Sequence, residues 1–243
     1  MMSFRSFSPA HRLLAVGTAL VGWVLAGCGS QPPANRPAPV PTLAPLPLPD
    51  QGTQQPELTR AWVARVLQAH QSVRAYEAQL AFYQKSGSKE IRGLYDLRGK
   101  QPRLLRIHIL EGGSKGTKLL WQGGNTLKVR AAGLLGAIPI DLSMTDKRVV
   151  SIRGYTLAQT DLQSLLSMLS HPQAQTRFLG EQGGFGFLEV RGPHLLPGCL
   201  SMRVRIDTRT GFARSIDMSD AREVVVRMDI RTFRPVADVS LDI

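Results

Sequence analysis

Downstream of residue 56, the first regular pattern of apolar and polar residues is helical. Apolar residues recur at steps of three and four, while arginine and glutamine residues fall between them. This spacing places the apolar residues on one face of an amphipathic helix of about four turns. The residues of that face are Leu58, Trp62, Val63, Val66, Leu67 and Val73.

From Tyr76 onward the period changes to two, which is typical of strands with one apolar and one polar face. Short segments rich in Gly, Ser, Asn and Asp separate these strands and indicate tight turns. The pattern therefore predicts about ten antiparallel strands. The alternating segments are 76–83, 91–98, 105–109, 117–122, 125–130, 188–190, 202–206, 216–218, 226–231 and 239–243.

A second helix is predicted between the two groups of strands. Thr160 and Gln163 have the spacing of a capping box, and His171-Pro172 would end the helix. Its apolar positions are Leu162, Leu165, Leu166 and Leu169. Two helices and a wide antiparallel sheet, which curls because strands twist, indicate an α+β domain with the helices on one side of a curved sheet.

Composition and charge narrow the functional classes. The chain has 243 residues, of which 43% are hydrophobic, so it can form a core and wholesale disorder is excluded. Its two cysteines exclude a disulfide framework. A net charge of +12 favours phosphate-bearing partners, which are nucleic acid or anionic lipid.

The N-terminus indicates export. Arg5 and Arg12 precede an apolar run, Leu13 to Leu25, that is too short to span a bilayer well. The sequence Leu25-Ala26-Gly27-Cys28 resembles the bacterial lipobox. This resemblance implies cleavage after residue 27 and a diacylglyceryl group on Cys28; an ordinary signal peptide is the alternative.

Three segments follow from these patterns. Residues 1–27 are a lipoprotein signal peptide, residues 28–56 are the lipidated N-terminus with a Pro-rich tether, and residues 57–243 form one domain. The tether favours polyproline II and would hold the domain away from a lipid surface. An exported protein meets little nucleic acid, so we expect no nucleic-acid partner. Its basic surface is expected to face anionic lipid or a cell-wall polymer.

Recognised catalytic motifs are missing from the sequence. It contains no GxSxG, HExxH or Walker A motif, and its five histidines lack metal-ligand spacing. His194 and Cys199 share a Pro/Gly loop and could form a nucleophile pair, but a loop histidine beside a buried thiol is the simpler interpretation. We therefore expect no enzyme activity, metal or cofactor.

Three short motifs resemble the LolA/LolB-like lipoprotein carriers. They are Lys100-Gln-Pro102-Arg-Leu-Leu-Arg106-Ile, Gly123-Gly124-Asn125-Thr-Leu127 in place of that family's Asp-Gly turn, and Arg205-Ile206-Asp207-Thr-Arg-Thr210-Gly211-Phe212. The resemblance covers most of residues 57–243 and extends to lipid-carrying lipoproteins of mycobacteria. It implies an open, incomplete β-barrel whose concave face is covered by helices, with a hydrophobic cavity and no catalysis.

The resemblance, together with the pattern, suggests which residues bind acyl chains. The helical residues Trp62, Val66, Leu165 and Leu169 would form a lid, and the strand residues Phe82, Tyr95, Ile107 and Ile109 would line the wall. Periodicity alone does not separate a cavity from a filled core. Receptor members of the family have an exposed apolar loop that aids membrane insertion. Leu134, Leu135 and Ile138 lie in a comparable apolar loop, which could equally pack under the lid.

Two main functional hypotheses remain. The first is a lipid-anchored, non-catalytic carrier or receptor for lipid or lipoprotein acyl chains, on the periplasmic side of a bacterial membrane. Gly29 after Cys28 is not an aspartate, which in enteric relatives would favour the inner membrane, so the outer membrane is expected. The second is a structural envelope lipoprotein with a packed core that binds a protein or cell-wall partner. A thiol hydrolase using Cys199 and His194 is a third possibility.

Overall fold

The computed structural model describes residues 56–133, 136 and 138–243. The expected signal peptide, the anchor Cys28, the tether up to residue 55 and the loop residues Leu134 and Leu135 lie outside these residues. No helix in the described part of the chain has the length and apolar character needed to cross a membrane.

Eleven antiparallel strands form a single sheet within the described residues. The order across the sheet is β6-β5-β4-β3-β2-β1-β11-β10-β9-β8-β7, so the first and last strands are neighbours near its middle. The two edge strands, β6 and β7, do not pair with each other, and the sheet is therefore open. The strands are β1 Ala75–Ser86, β2 Lys89–Lys100, β3 Leu104–Glu111, β4 Lys118–Trp121, β5 Thr126–Arg130, β6 Ile140–Ser143, β7 Gln175–Gln182, β8 Phe185–Arg191, β9 Ser201–Asp207, β10 Ala213–Ser219 and β11 Val224–Val236.

The helices are few and mostly short. α1 spans Pro56–Gln71, as the apolar spacing predicts, and buries Trp62 and Val66. The connection from β6 to β7 carries α2 (Leu157–Thr160), α3 (Leu162–Ser167) and a 3-10 turn (Met168–Ser170). The second helix, predicted from Thr160 to about Ser170, is present as α3 followed by the 3-10 turn, and α2 precedes it.

The predicted cap of that helix was wrong by a few residues. Gln159 Oε1 accepts a hydrogen bond from the Thr156 backbone N–H at 2.9 Å, and this pair opens α2. Asp161 then caps α3, because its carboxylate accepts from the backbone N–H groups of Gln163 and Ser164. An aspartate at this position satisfies N–H groups that have no partner within the helix, so a new helix begins there.

Two separate clusters of buried side chains lie along the sheet. The first core cluster joins one face of β8–β11 to the apolar faces of α1 and α3; it includes Trp62, Val66, Leu165, Leu188 and Ile216. The second core cluster lies on β3–β6 and includes Leu105, Ile107, Trp121, Leu127 and Val129. The predicted α+β class with one large antiparallel sheet is confirmed.

Three strand predictions were inaccurate. The chain forms no strand at 239–243, where Asp238 and Ser240 make local hydrogen bonds to the backbone instead. The sequence pattern also missed β6 and β7, the two edge strands. β6 has only four residues, and β7 is polar and irregular between Phe178 and Gly180, so neither shows a clear alternation.

Gly186 tests the packing of α1 on the sheet. A Cβ atom at this position would lie 2.7 Å from Cη2 and 2.8 Å from Cζ3 of Trp62. We expect Gly186→Ala to displace the indole and to lower the free energy of unfolding by about 1–3 kcal/mol in chemical denaturation. Gly124→Ala is the matched control, because no atom lies within 4 Å of its Cβ position. Equal stability of the two variants would contradict this packing.

Candidate functional site

A cleft with a volume of about 140 Å³ opens where the two core clusters meet. We call it the seam cleft. Its apolar wall combines side chains that belong to, or pack against, both clusters. Those side chains are Leu67, Tyr76, Leu105, Trp121, Leu162, Leu166 and Phe233.

Aromatic packing holds the sheet side of the seam cleft. Tyr76 on β1 stacks on Phe233 of the neighbouring β11, with ring centroids 5.1 Å apart. Phe233 also packs against Phe212 at 4.7 Å. Trp121 on β4 donates its indole N–H to the Gly124 carbonyl at 2.8 Å, so its polar atom is satisfied and the rest of the ring can form an apolar wall.

Gly99 makes room for Tyr76. The two residues are directly paired across β1 and β2. A Cβ atom at position 99 would lie 2.2 Å from the phenol ring, so the ring packs flat over the glycine only because no side chain is there. Burial raises the pKa of Tyr76 well above its usual range, so the phenol stays neutral.

α3 forms the opposite wall of the seam cleft. Leu162 and Leu166 line the cleft on one side of this six-residue helix. Asp161 lies at its N-terminus, and burial raises the pKa of its carboxyl group despite the two backbone hydrogen bonds that it accepts. The helix therefore depends on a partly desolvated cap and on its own leucines.

Cationic and polar side chains surround the mouth of the cleft. Lys100, Gln101 and Arg103 line it at the turn from β2 to β3. Gln101 donates to the Gln71 carbonyl at 3.2 Å, which ties this turn to the end of α1. Lys100 forms an ion pair with Asp238 at 2.9 Å.

His70 is a half-buried, neutral histidine at the end of α1. Its Nε2 accepts the backbone N–H of Ala213 at 3.0 Å, and its ring packs edge-on against Phe212 and Phe233. Burial lowers its pKa from 6.5 to about 4. His70 therefore supports the cleft as a packing and hydrogen-bonding group.

The seam cleft has the character of a binding site for an apolar group. Leucine and aromatic side chains form much of its wall, His70, Gln71, Asp161, Gln163 and Ser167 also line it, and no paired nucleophile and base lies on it. Its volume is close to that of an engineered apolar cavity of about 150 Å³ that holds benzene. Typical pockets for small molecules begin at about 300 Å³. The cleft in this conformation fits the end of an apolar chain and is too small for a whole one.

The four predicted lid residues are brought together, but as packed core. Trp62 stacks on Phe178 with ring centroids 5.2 Å apart. Val66, Leu165 and Leu169 lie with it in the first core cluster. None of these four side chains lines the seam cleft. Their role in ligand binding stays a prediction.

The four predicted wall residues lie on β1, β2 and β3. Phe82 packs near Tyr95, with ring centroids 5.7 Å apart, and burial raises the pKa of Tyr95 to about 12. Ile107 belongs to the second core cluster and Ile109 is buried. None lines the seam cleft. In the apolar loop, Ile138 is 76% exposed, while Leu134 and Leu135 lie outside the described residues.

Sequence reasoning did not single out Tyr76, Trp121 or Phe233 as site residues. Each lies on a strand whose alternation shows only that one face is apolar. One signal was available: residues 100–105 of the motif that carries the family resemblance line the cleft.

Cys199 and His194 are engaged separately. The Cys199 thiol is buried, lies 3.6 Å from the Tyr155 hydroxyl, and burial raises its pKa. His194 Nε2 hydrogen bonds with the Met168 carbonyl at 3.0 Å, and its ring stacks on His171. A raised thiol pKa works against a nucleophilic thiolate. Among the described residues no cluster of three or more His, Cys, Asp or Glu could hold a metal ion.

Comparisons with known proteins give similar folds only among solved structures. No family model matches the chain. No curated protein matches it either. The Mycobacterium tuberculosis lipoprotein LppX is 12% identical, with a TM-score of 0.46, over 77% of this chain and 100% of that protein.

Two further structures are similar over about the same part of the chain. An outer membrane lipoprotein-sorting protein domain from Vibrio parahaemolyticus is 9% identical, with a TM-score of 0.43, over 75% of this chain and 95% of that one. A LolA superfamily protein from Nitrosomonas europaea is 10% identical, with a TM-score of 0.37, over 75% and 94%. The resemblance expected from the sequence motifs is confirmed as a likeness of fold. Because the identities and TM-scores are low, we derive the function from this chain's own geometry.

The pKa of His70 predicts a loss of stability in mild acid. The unfolded chain binds the imidazole proton near pH 6.5, whereas the folded chain binds it only near pH 4. Stability conferred by neutral His70 is therefore present above pH 6.5 and decreases by up to about 3 kcal/mol as the pH falls to 4. Denaturant titrations of wild type and His70→Gln across this range measure it, because glutamine keeps an acceptor and does not titrate. Parallel curves for the two proteins would contradict the assignment.

Proposed function

We propose that this protein binds an apolar chain of a lipid or lipoprotein at the seam cleft, without catalysis. It would act as a membrane-anchored carrier or receptor on the periplasmic side of a bacterial outer membrane. The observation that carries the proposal is the cleft itself, an apolar opening between two core clusters that a continuous core would have closed. Each Å² of apolar ligand surface removed from water would contribute roughly 25 cal/mol.

Loading a full acyl chain requires α3 to move. The cleft of about 140 Å³ holds only the chain end, and Leu162 and Leu166 of α3 are the parts of its wall that belong to a short helix. A six-residue helix has few internal hydrogen bonds, so its displacement costs less than separating paired strands. We infer that an incoming chain displaces α3 and extends beneath it.

The residues predicted from the sequence then become accessible. Leu165 lies on α3 beside Leu166, and Trp62 and Val66 lie on α1 in the same cluster. When α3 moves outward, a chain entering from the seam cleft would reach these side chains next. In this proposal the helices cover the concave face of the sheet, and the lid residues are contacted after opening.

The proposed location depends on the N-terminal segment. Two or three acyl chains on Cys28 would retain the protein on a membrane, because a single chain anchors only weakly. The Pro-rich segment up to residue 55 would let the domain reach away from that surface. Mass spectrometry of the mature N-terminus tests this part of the proposal.

Leu162→Trp tests binding at the seam cleft. The larger side chain would occupy the opening, so we expect the full-length chain to bind a fluorescent fatty acid at least tenfold more weakly than wild type does. Leu200→Trp is the control, because Leu200 is 59% exposed and does not line the cleft. Equal affinity in all three proteins, or no binding by wild type, would reject the proposal.

Asp161→Ala tests the movement of α3. Loss of the cap costs about 0.5–2 kcal/mol and should loosen this helix selectively. We expect faster uptake of the fluorescent fatty acid in stopped-flow measurements, together with a lower midpoint of unfolding. Ser240→Ala is the control, since its hydroxyl hydrogen bonds only within the C-terminal segment, to Asp242. Unchanged uptake by Asp161→Ala would mean that α3 does not limit entry.

The alternative is a structural envelope lipoprotein that binds a protein or cell-wall partner. The dense packing of the first core cluster favours it, since Val66, Leu165 and Ile216 have no exposed surface. Under this alternative the seam cleft is a packing defect. The Leu162→Trp experiment separates the two functions, because a packing defect binds no fatty acid.

A further inference from the structure

The outer face of the sheet, opposite the core clusters, has two electrostatically different halves. On β7–β11, residues of opposite charge face each other directly across neighbouring strands. Glu189 pairs with Arg177 on one side and Arg203 on the other, and Asp217 pairs with Arg203 and Arg227. On this half of the outer face most arginines therefore have an acidic partner.

Glu189 shows how these charges are paired. Its side chain is only 3% exposed and forms ion pairs with Arg177 at 2.6 Å, Arg203 at 3.2 Å and Arg191 at 3.3 Å. Burial opposes ionisation, yet the hydrogen bonds from Arg203 and Arg177 keep the pKa of Glu189 below its usual value. Arg177, Arg191 and Arg203 therefore already share an anion.

On β2–β5, by contrast, side chains of like charge face each other across neighbouring strands. Lys118 on β4 lies directly opposite Arg130 on β5, and Arg98 on β2 lies directly opposite Arg106 on β3. Like charges in these positions destabilise a sheet. Apart from Glu111, which ends β3 beyond an irregularity in its pairing with β2, every charged side chain on the outer face of β3, β4 and β5 is basic or a histidine. These residues are Arg106, His108, Lys118, Lys128 and Arg130.

Two acids face this region across neighbouring strands, Asp141 opposite Lys128 and Asp96 opposite His108, but neither forms an ion pair with any of these basic residues. Glu77 interacts with Arg98 and Arg234 instead. Within the described residues, no ion pair forms at four basic side chains, which we call the basic patch: Arg106, Lys118, Lys128 and Arg130.

The neighbourhood of the basic patch reflects this uncompensated charge. After burial, the positive charges of Lys118 and Arg106 are the next causes that lower the pKa of His108. Arg130 directs its Nε to the neutral carbonyl of Gly136 at 2.8 Å. The patch therefore retains its capacity to bind anions.

We propose that the basic patch docks on the anionic headgroups of a lipid surface. The four cations lie on three adjacent strands that are about 4.8 Å apart, and they point the same way from one face. Leu120 lies between Arg106 and Lys128 in the same row. Cations spread over a sheet face match a planar array of phosphates, whereas a single bound phosphate requires donors that converge on one point. This docking is independent of the seam cleft.

Lysine acetylation in the presence of vesicles tests the proposal on the full-length chain. Vesicles of phosphatidylcholine with 30% phosphatidylglycerol should slow acetylation of Lys118 and Lys128 several-fold relative to Lys89, an exposed lysine at the β1–β2 turn. Pure phosphatidylcholine vesicles should not. Because each residue is measured by mass spectrometry, attachment through the N-terminus alone would not produce this pattern.

A pair of charge-matched variants identifies the cause. The double variant Arg106→Gln with Arg130→Gln should weaken the protection of Lys118 and Lys128. Each arginine removed should lower the partition of the protein onto the membrane by about fivefold. Arg209→Gln with Arg222→Gln, in exposed turns of the other half, should preserve it. Protection that is equal at all lysines, or equal in both variants, overturns the proposal. Stronger protection by soluble polyglutamate than by the anionic vesicles would also overturn it, and would assign the patch to an acidic polymer.

Discussion

The pairing of β1 with β11 is the constraint on which the rest of the structure depends. These strands run antiparallel from Ala75 opposite Val236 to Gln84 opposite Val226, with one irregularity after Gln79. The pairing joins the beginning and the end of the domain in the middle of one sheet. It therefore places an N-terminal half, β2–β6, on one side and a C-terminal half, β7–β10, on the other, each with its own cluster of buried side chains.

The seam cleft follows from this arrangement. Tyr76 and Phe233 are on the two central strands and stack on each other, so the aromatic floor of the cleft belongs to the pairing itself. Side chains of α1 and α3 share the first core cluster with the C-terminal half, and the second cluster lies on the other half. The same division is visible on the outer face, where one half pairs most of its charges internally and the other half carries four cations without an ion pair.

The fold was largely predictable because its signals are local. The three- and four-residue spacing that includes Trp62 and Val66 specifies α1, and the alternation around Leu105 and Ile107 specifies a strand. The edge strands were not predictable, since β7 is polar and irregular. The seam cleft was not predictable either. Periodicity reports which face of Tyr76 or Leu162 is apolar, but the space between them depends on how two distant segments approach each other.

The connection between the edge strands has a mechanical consequence. The chain leaves the sheet at β6, passes through α2 and α3, and returns at β7, which is the opposite edge. α3 is thus part of a strap that spans the open side of the sheet. If α3 moves outward on loading, as proposed, it moves as part of a connection whose two ends are fixed at opposite edges of the sheet.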